Sequence, residues 1–423
     1  MTREAQAQIV VIGHDARRAG APLHLLRLLE WLSNNSPYRL SAILLRGGPL
    51  SPDYAKVCPT TIVDYSDAAS ERVKRVIARS PHFPDGVKVH YSKRLDSKSR
   101  ARITSLCRNA DIVYANTIVS GLMMLRIPLG PRTSLITHLH EMKGALHLYT
   151  SVTAERRGES FETTLATVLK KANVTLVPSN AARRDLASLV ALDGFDVRQA
   201  PPCLPVLGDR RINYRVNELR CELDIPSSAS VILGCGGLDA NKGADLFIQL
   251  GIQLLRRRSS PLYLIWVGGW ELGKPTNEKY RLEVDVGRAG LTRFFRFVPY
   301  VESPQSFFCM ADVLALTSRE DSFPLVALEA AAVGTPVVCF ESSGAAEFLE
   351  GYPNLLAPHL DMARFAELVQ EVLDQPVGSA VIGRQLSSRA GRFAVNELGP
   401  SYSALFDTIL RGRDVIVTDR RRQ

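Results

Sequence analysis

Short apolar runs that alternate with longer amphipathic segments restrict the fold of this chain more than any other feature. The runs are rich in Val and Ile and are bounded by Gly, Pro or Asn, which is typical of buried strands. The segments between them have helical spacing, and in the first one Leu25, Leu26, Leu29 and Leu32 share one helical face. This alternation predicts parallel sheets with helices on both faces.

The candidate strands fall into two groups, and a proline-rich stretch separates them. Residues 201–205 contain three prolines, and the alternation restarts after them. The chain has 423 residues, which is too long for one ordinary domain. The first group comprises residues 8–13, 40–47, 60–65, 111–116, 133–141 and 174–179. The second group comprises residues 229–237, 262–269, 293–300, 313–318 and 336–340.

We therefore expect the α/β class, with two doubly wound, Rossmann-like parallel-sheet domains that face each other across a cleft. The N-terminal domain would cover residues 1–205 and the C-terminal domain residues 206–400. Residues 401–423 would form a C-terminal helix and polar tail that pack back toward the N-terminal domain. Open parallel sheets bind ligands at the carboxyl ends of their strands, so we expect chemistry in the loops that follow the strands.

Composition narrows the class of protein and its compartment. The net charge is +9, and residues 68–108 contain eleven Lys or Arg against three Asp or Glu. Such a segment could bind nucleic acid, an anionic membrane or a phosphorylated substrate. It is equally consistent with an ordinary solvent-exposed surface. The seven cysteines lack the spacing of metal ligands, and we interpret them as reduced core residues of a cytosolic protein. We find neither an apolar run of membrane-spanning length nor a signal-peptide pattern.

The loop after the first strand, residues 13–22, is the first candidate site. Gly20 permits a tight backbone beside the N-terminus of the next helix, which attracts anions. His14 and Arg17 add hydrogen-bond donors. The pattern is not a dinucleotide fingerprint, and an ordinary strand-to-helix turn is the alternative interpretation.

The loop after the fifth strand, residues 137–144, is the second candidate site. His138 and His140 alternate with Leu139, so we expect the two imidazoles on opposite faces of a strand. Two histidines at this spacing do not form a zinc site without further ligands. A structural histidine is the alternative to a functional one, although Glu141 is placed to orient the ring.

The loop that opens the second domain, residues 235–247, is the third candidate site. Gly236, Gly237 and Gly243 flank Lys242 at the start of a helix. Backbone N–H groups, the helix dipole and one ammonium group together predict a phosphate site. The loop lacks the third glycine of a dinucleotide fingerprint and the spacing of a Walker A loop.

The fourth candidate site lies in residues 318–334, where a short charged loop precedes an apolar helix. Pro324 would occupy the first helical turn, where its missing N–H costs nothing. Asp321 would stand at the helix N-terminus, with Leu325 and Glu329 close to the same face. The alternative is that Asp321 only caps the helix and Glu329 pairs with a buried arginine.

These motifs together carry a family resemblance. An acidic residue, seven residues and then Glu, within FPLVALEAAAVGTPVV, resemble the signature of the retaining glycosyltransferases of family four, which have the two-domain GT-B fold. LDANKG resembles their phosphate-loop lysine motif, and THLHE resembles their strand-end histidine motif. The resemblance covers most of the chain, loosely in residues 1–200 and specifically in residues 229–345.

The resemblance implies roles for the residues of a donor site. Glu329 would accept hydrogen bonds from the ribose of a nucleotide-sugar. Asp321 would bind hydroxyls of the donor sugar, together with the backbone N–H groups of Phe323 and Leu325. Lys242 would hold the diphosphate and stabilise it as it leaves. The spacing favours Asp321 over the neighbouring acid as the first carboxylate of the signature.

The resemblance implies further roles beside this donor site. Gly237 belongs to the donor-binding loop and occupies the place where the family usually has an arginine. His140 would lie beside the transferred sugar and is the third catalytic candidate, with Lys242 and the first carboxylate. Gly20 would let the backbone approach the substrates, with His14 and Arg17 in the same acceptor or cleft region.

The resemblance implies a retaining glycosyltransferase that moves a sugar from a nucleoside-diphosphate sugar to a hydroxyl of a glycan or glycolipid. Its place would be cell-surface polysaccharide or glycoconjugate synthesis. We expect no metal and no cofactor besides the nucleotide-sugar co-substrate, because no Asp-x-Asp motif stands at a strand end. The expected location is cytoplasmic, with residues 68–108 in peripheral contact with an anionic inner membrane face.

Two other functions remain as alternatives. The first is a nucleotide-sugar epimerase on the same scaffold, which would change the donor without any acceptor. The second is a basic module that binds nucleic acid. The Lys and Arg clusters lack interleaved aromatic residues and no recognition motif appears, so we expect no nucleic-acid partner.

Overall fold

The protein is described by a computed structural model that covers residues 6–63, 97–205, 215–257, 260–270 and 273–420. Two compact units divide the chain. Unit 1 contains Met1–Pro205 together with Val395–Gln423, and unit 2 contains Val206–Ala394. The larger part of the basic segment predicted at residues 68–108 lies outside the described residues, as does the stretch that follows Pro205.

Unit 1 contains a parallel sheet whose strands alternate with helices. Its strands are β1 (Gln8–Gly13), β2 (Arg39–Leu44), β3 (Thr60–Ile62), β4 (Ile112–Asn116), β5 (Ser134–His138), β6 (Val174–Val177) and β7 (Val197–Gln199). The helices among them are α1 (Gly20–Asn35), α2 (Ser51–Val57), α3 (Ser97–Asn109), α4 (Ile118–Met124), α5 (Lys143–Arg157), α6 (Phe161–Lys171) and α7 (Asn180–Leu189). The strand order is β3-β2-β1-β4-β5-β6-β7, so the order reverses between β1 and β4.

Unit 2 repeats the same plan. Its strands are β8 (Ser230–Cys235), β9 (Leu262–Val267), β10 (Phe295–Val298), β11 (Val313–Leu316), β12 (Val337–Phe340) and β13 (Leu356–Ala357). Its helices are α8 (Val216–Glu222), α9 (Ala244–Arg257), α10 (Asn277–Arg288), α11 (Gln305–Met310), α12 (Leu325–Ala332), α13 (Ala345–Phe348), α14 (Met362–Asp374) and α15 (Pro376–Gly391). The strand order is β10-β9-β8-β11-β12-β13, which reverses between β8 and β11.

The pairing of the strands confirms the predicted fold class of two doubly wound parallel sheets. Alternating side chains of one strand enter different cores because successive residues point to opposite faces. Ile9 and Val11 of β1 pack on one face of the sheet of unit 1. Val10 and Ile12 pack on the other face. Burial on both faces explains why the strands read as continuous apolar runs.

The C-terminal segment differs from the prediction that the second domain extends to residue 400. Helix α16 (Val395–Arg420) belongs to unit 1 from its first residue. The backbone N–H of Val395 donates to the carbonyl oxygen of Leu204 at 2.9 Å. Tyr402 and Phe406 are buried in the same core as β1. These contacts join the end of the chain to unit 1 from residue 395, six residues before the predicted start of the C-terminal segment at residue 401.

Most strands end earlier than predicted. The predicted strand 133–141 is observed only over β5, and the predicted strand 262–269 only over β9. Gly268 and Gly269 have φ values of +107° and +96°, so the backbone leaves the sheet at these residues. Strands β7 and β13 were not predicted, because three and two residues are too short to show a period.

Two further expectations concern the cysteines and the membrane. Every cysteine is free, but Cys221 is exposed, so the prediction of a core position is wrong for this residue. Cys221 lies on α8, which buries none of its residues. Among the described residues, no helix combines the length and the apolar character that a crossing of the bilayer requires.

Candidate active site

The loops after β8 and β11 of unit 2 lie at the point where the strand order reverses. Open α/β sheets bind ligands at this point, beside the carboxyl ends of the strands. The loop after β8 carries Lys242 and leads into α9. The loop after β11 carries Asp321 and leads into α12. The third and fourth candidate loops are therefore neighbours in space.

An ion pair joins the two loops. Nζ of Lys242 donates to Oδ2 of Asp321 at 2.6 Å, and the two side chains are 34% and 10% exposed. Burial lowers the pKa of Lys242, but the charge of Asp321 and its hydrogen bond outweigh burial and hold the pKa above its usual value. Lys242 is therefore charged at neutral pH, and an ammonium group with three donors can hold an anionic ligand besides Asp321.

Arg319 reinforces the junction between the same two loops. Its guanidinium group donates to both carboxylate oxygens of Asp245 at 2.9 and 2.7 Å, and to the carbonyl oxygen of Ala240 at 2.7 Å. Its backbone N–H donates to the carbonyl oxygen of Asn241 at 2.7 Å. A bidentate pair of this kind fixes orientation as well as distance. Sequence analysis did not find this network, because its members lie far apart in the chain.

The backbones of the two loops also touch at Gly243. It has a φ of +69°, and a Cβ atom added there would lie 2.0 Å from the carbonyl oxygen of Thr317. The hydroxyl of Thr317 in turn donates to the carbonyl oxygen of Gly243 at 2.8 Å. Only glycine combines this conformation with this approach. Thr317 is a second residue that sequence analysis missed.

The start of α12 differs from the prediction. Pro324 precedes the helix with an extended backbone, φ −70° and ψ 117°, and Leu325 is the first helical residue. Asp321 therefore stands in the loop and not on a face of the helix, and this loop position lets it reach Lys242. The N–H of Leu325 is among the four that no carbonyl inside the helix accepts, as its predicted donor role requires.

Glu329 lies on α12 between the buried residues Leu328 and Ala330, but its own side chain is only half-buried. Burial raises the pKa of the Cys235 thiol to about 12, with a further rise from the charge of Glu329 and a lowering by Lys242. The charges of Glu329 and Lys242 thus both influence the pKa of Cys235, which is the last residue of β8. Its carboxylate is half-buried, so Glu329 is not enclosed in the apolar core of unit 2.

The remaining predicted donor residues lie in the same two loops. Gly237 is half-buried, and a Cβ atom there would lie 2.5 Å from Oδ2 of Asp239. Phe323 is buried, and its ring lies 5.3 Å from that of Phe393. The backbone N–H of Gly344 donates to the carbonyl oxygen of Asp321 at 2.8 Å. The structure thus brings the predicted donor residues of unit 2 to one edge of its sheet.

The predicted residues of unit 1 also gather where their strand order reverses. His140 follows β5, and its Nε2 lies 2.7 Å from Oδ1 of Asn116 at the end of β4. Nδ2 of Asn116 donates to the carbonyl oxygen of Ala21 at 3.0 Å, in the first turn of α1. Sequence analysis did not single out Asn116, although it ends the predicted strand 111–116.

The prediction that His138 and His140 point to opposite faces is wrong. Their ring centroids are 3.9 Å apart. Successive residues of an extended chain point to opposite faces, so residues two apart, such as His138 and His140, point to the same face, and the expectation misapplied this rule. Nδ1 of His138 lies 2.5 Å from the hydroxyl of Tyr114. Burial holds the pKa of both imidazoles well below the usual value, so both rings are neutral at neutral pH.

A third histidine that sequence analysis missed completes the cluster. His24 lies on α1, and ring nitrogens of His24, His138 and His140 lie within 4.8 Å of one another. The backbone N–H of Cys203 donates to Nδ1 of His24 at 3.0 Å. The proton of the neutral ring is therefore on Nε2, which faces the hydroxyl of Tyr402 at 3.4 Å. His24 keeps no lone pair for a metal ion, so the cluster does not fit a three-nitrogen site.

The loop after β1 contains an ion pair that sequence analysis did not identify. Nε of Arg17 donates to Oδ2 of Asp15 at 2.5 Å, and Nε2 of His14 lies 3.5 Å from the same oxygen. Burial lowers the pKa of His14 below its usual value, and the charge of Asp15 opposes this shift. Gly20 is exposed and is the first residue of α1.

The turn between β4 and α4 is strained and buried. Thr117 has a φ of 106°, which is unusual for a β-branched residue, and it is 1% exposed. The backbone N–H of Ile118 donates to Oε2 of Glu141 at 3.0 Å. Burial raises the pKa of Glu141 to about 7, although backbone hydrogen bonds oppose the shift. Strain of this kind persists where surrounding contacts enforce it and is frequent at functional sites.

Comparison with known proteins gives relatives in one enzyme family. Residues 229–375 match the family model described as "Glycosyl transferases group 1". A D-inositol 3-phosphate glycosyltransferase of Corynebacterium kroppenstedtii is 29% identical over 227 residues, 52% of this chain and 48% of that one. Its counterpart in Corynebacterium efficiens is 32% identical over 190 residues, 44% of this chain and 45% of that one. The chain thus spans about half the length of the curated relatives that it matches.

Solved structures resemble the whole chain. Anabaena HepE in complex with UDP and glucose has a TM-score of 0.72 at 18% identity, over 95% of this chain and 100% of that one. Sucrose-phosphate synthase of Thermosynechococcus elongatus has a TM-score of 0.72 at 19% identity, over 96% of this chain and 100% of that one. These likenesses confirm the predicted GT-B fold class.

Proposed function

We propose that this chain is a glycosyltransferase of family four and that it transfers a sugar from a nucleoside-diphosphate sugar to a hydroxyl group. The observation that carries the proposal is the pairing of Lys242 with Asp321 at the strand-order reversal of unit 2. The pair places a cation for a diphosphate next to a carboxylate for sugar hydroxyls. Glu329, which acts on the same strand end, would bind the ribose.

The two units would have different substrates. Unit 2 would bind the donor through Lys242, Asp321, Glu329 and the backbone N–H groups of Phe323 and Leu325. Unit 1 would bind the acceptor, with His140 beside the transferred sugar. We propose a glycan or glycolipid acceptor in the synthesis of cell-surface polysaccharide or glycoconjugate. Relatives of this chain are named for D-inositol 3-phosphate. A small phosphorylated polyol is therefore the second acceptor to test, besides a glycan or glycolipid.

The reaction that we propose retains the anomeric configuration. The bond from the anomeric carbon to the diphosphate oxygen breaks, and its electron pair leaves with the nucleoside diphosphate. The acceptor oxygen attacks from the same face, and its proton passes to the departing phosphate oxygen. Lys242 and the N-terminal amides of α9 would stabilise the leaving diphosphate electrostatically. We propose that this cation takes the place of a metal, so that a chelator leaves the rate unchanged.

The basic segment would add a peripheral contact with an anionic membrane that carries the acceptor. Its described part is α3, which buries only Ile103 and Cys107. Lys98, Arg102 and Arg108 are exposed on this helix. A basic helix surface attracts anionic lipid by about 1 kcal/mol per Lys or Arg.

Two measurements test the proposed function. The first is the stabilisation of the protein by a nucleotide-sugar, and the second is donor binding and sugar transfer by a Glu329→Gln variant. A nucleotide-sugar that binds only the folded state at 100 times its Kd raises the free energy of unfolding by about 2.7 kcal/mol. UDP-glucose is the first probe, because a solved structure of the same fold holds it. Loss of a charged hydrogen-bond acceptor costs about 1.5–3 kcal/mol, so we expect Glu329→Gln to bind UDP-glucose about 10- to 150-fold more weakly.

The matched control is Glu350→Gln, which removes an exposed carboxylate from the same unit. Its affinity for the donor should equal that of the unsubstituted protein. Near-normal binding and transfer by a folded Glu329→Gln variant would contradict the proposed donor site. Epimerised sugar in the absence of any acceptor would instead support the epimerase.

A further inference from the structure

The side-chain amide of Asn116 has a defined orientation. Asn116 is fully buried at the end of β4. One end of its amide contacts the carbonyl oxygen of Ala21 at 3.0 Å, and the other contacts Nε2 of His140 at 2.7 Å. A carbonyl oxygen can only accept, so the NH₂ group must face Ala21. The oxygen of the amide therefore faces His140.

This orientation determines the tautomer of His140. The amide oxygen of Asn116 can only accept a hydrogen bond, so Nε2 of His140 must carry the proton that it donates. Burial holds the pKa of His140 well below its usual value, and repulsion by His24 and His14 lowers it further. The neutral ring has one N–H, so Nδ1 is left as an acceptor.

The titratable groups near this ring come from several elements of unit 1. His24 from α1 lies with its ring centroid 5.4 Å away, and His138 from β5 lies 3.9 Å away. His14 stands in the loop after β1 with Asp15 and Arg17, and Glu141 is the next residue in the chain. The hydroxyls of Tyr114 and Tyr402 also contact the histidine cluster. The carboxylate of Glu141 accepts from the backbone N–H of Ile118.

We propose that Asn116 is a positioning residue that fixes the tautomer of the neutral His140 ring, with its proton on Nε2 and with Nδ1 as an acceptor. A neutral ring in this tautomer has no net charge and no second N–H, so it does not attract a phosphate or carboxylate oxygen. Asn116 acts only through His140, so it need not touch a substrate itself. This catalytic consequence rests on the proposed function, whereas the tautomer itself does not.

The tautomer can be measured directly in the full-length protein without any substrate. The chain has 8 histidines, so selective ¹⁵N-histidine labelling gives few ring signals. A His140→Gln variant removes one pair of signals and so assigns them. We expect the two-bond ¹H–¹⁵N pattern of a neutral ring protonated on Nε2, unchanged from pH 5.5 to 8.5. A ring protonated on Nδ1, or one that titrates in this range, would overturn the proposal.

An Asn116→Asp variant tests the positioning role. The carboxylate would stabilise a doubly protonated His140, so its signals should titrate near neutral pH. The kcat of transfer should then fall as the pH decreases through the same range, while the KM of the donor changes less. The matched control is Asn173→Asp, because Oδ1 of Asn173 accepts from the backbone N–H of Leu135 at 2.8 Å and an aspartate can do the same.

The possible results separate the two hypotheses. If a folded Asn116→Asp variant leaves the titration of His140 unchanged, Asn116 does not control the ring. If Asn116→Asp does not fold, the tautomer in the unsubstituted protein still decides the proposal. If the protein binds no nucleotide-sugar while the Nε2-protonated ring is found, the proposed function fails and the positioning role of Asn116 stands.

Discussion

At the scale of single residues, Gly243 links the backbone of the candidate phosphate loop to that of the signature loop. Its positive φ alone makes alanine unfavourable by about 1–2 kcal/mol. The carbonyl oxygen of Thr317, 2.0 Å from the added Cβ atom, adds a clash with backbone that cannot rotate away. We therefore expect Gly243→Ala to lower the free energy of unfolding by about 3 kcal/mol or more and to weaken donor binding.

Gly290 provides the matched control for this substitution. Its φ of +71° is nearly that of Gly243, but nothing lies within 4 Å of an added Cβ atom. Gly290→Ala should therefore show only the conformational cost, in the range of about 1–2 kcal/mol, with unchanged donor affinity. Urea unfolding of both variants and titration with the donor measure the difference. If Gly243→Ala and Gly290→Ala lose the same free energy of unfolding, the clash with Thr317 contributes nothing and the prediction is wrong.

A site residue could be predicted from the sequence when its interaction partner lies nearby in the chain, and was missed when the partner lies far away. The seven residues between Asp321 and Glu329 form a local pattern, and this pattern gave the signature. The pairing of Asp321 with Lys242 spans 79 residues and follows only from the strand order that places β8 beside β11. Asn116 and His24 were missed for the same reason, because their partners come from other strands.

At the scale of elements, periodicity predicted the strands and helices better than it predicted their ends. A buried strand and the first residues of its loop are equally apolar, so predicted strand 262–269 ran into a loop that glycines form. The start of α12 was misplaced because a proline suits both the first helical turn and the residue before it. The ψ of 117° at Pro324 decided between the two positions.

Helix α3 allows a test of the membrane contact at the scale of one element. Arg102 and Arg108 are exposed, and Ile103 and Cys107 anchor the helix to unit 1. An Arg102→Glu/Arg108→Glu variant should therefore stay folded and lose about 2 kcal/mol or more of binding to anionic vesicles. Co-sedimentation with vesicles that contain phosphatidylserine, and with neutral vesicles, measures this loss.

The control for the membrane test is Arg288→Glu, which reverses an exposed charge at the end of α10 in unit 2. It should leave the binding to anionic vesicles nearly unchanged if α3 is the contact. Vesicle binding that ignores anionic lipid, or that falls equally in both variants, would contradict the proposed surface. Binding should also weaken at high salt, because exposed charges are screened.

At the scale of the whole molecule, the histidines are unevenly distributed. His359 is the only histidine of residues 206–394, and the other seven lie in residues 1–205. Three of these seven form the cluster of unit 1, in which His24 and His138 are buried and His140 is half-buried. Burial lowers the pKa of His24 from 6.5 to about 3 and holds those of His138 and His140 well below 6.5. Acid should therefore act on the two units differently.

The sign of this effect follows from proton binding. Below pH 6.5 each unfolded histidine takes a proton that the folded ring does not, so the free energy of unfolding decreases as the pH falls. Glu141 acts in the opposite direction: burial raises its pKa from 4.5 to about 7, so between these values the folded state holds the extra proton. The three histidines outweigh this single carboxyl group. We expect unit 1 to lose about 2–3 kcal/mol per pH unit between pH 6 and 5.

Unit 2 is the internal control, because the same chain is measured under the same conditions. The protein is equilibrated in urea at pH 7.5 or 5.0, and a brief hydrogen-exchange pulse at one common pH labels whatever is unfolded. Peptides of β1, β4 and β5 should show an unfolding midpoint that moves to lower urea in acid. Peptides of β8, β9 and β11 should move much less. A larger acid shift in unit 2 would show that the histidine cluster is not what makes the protein sensitive to acid.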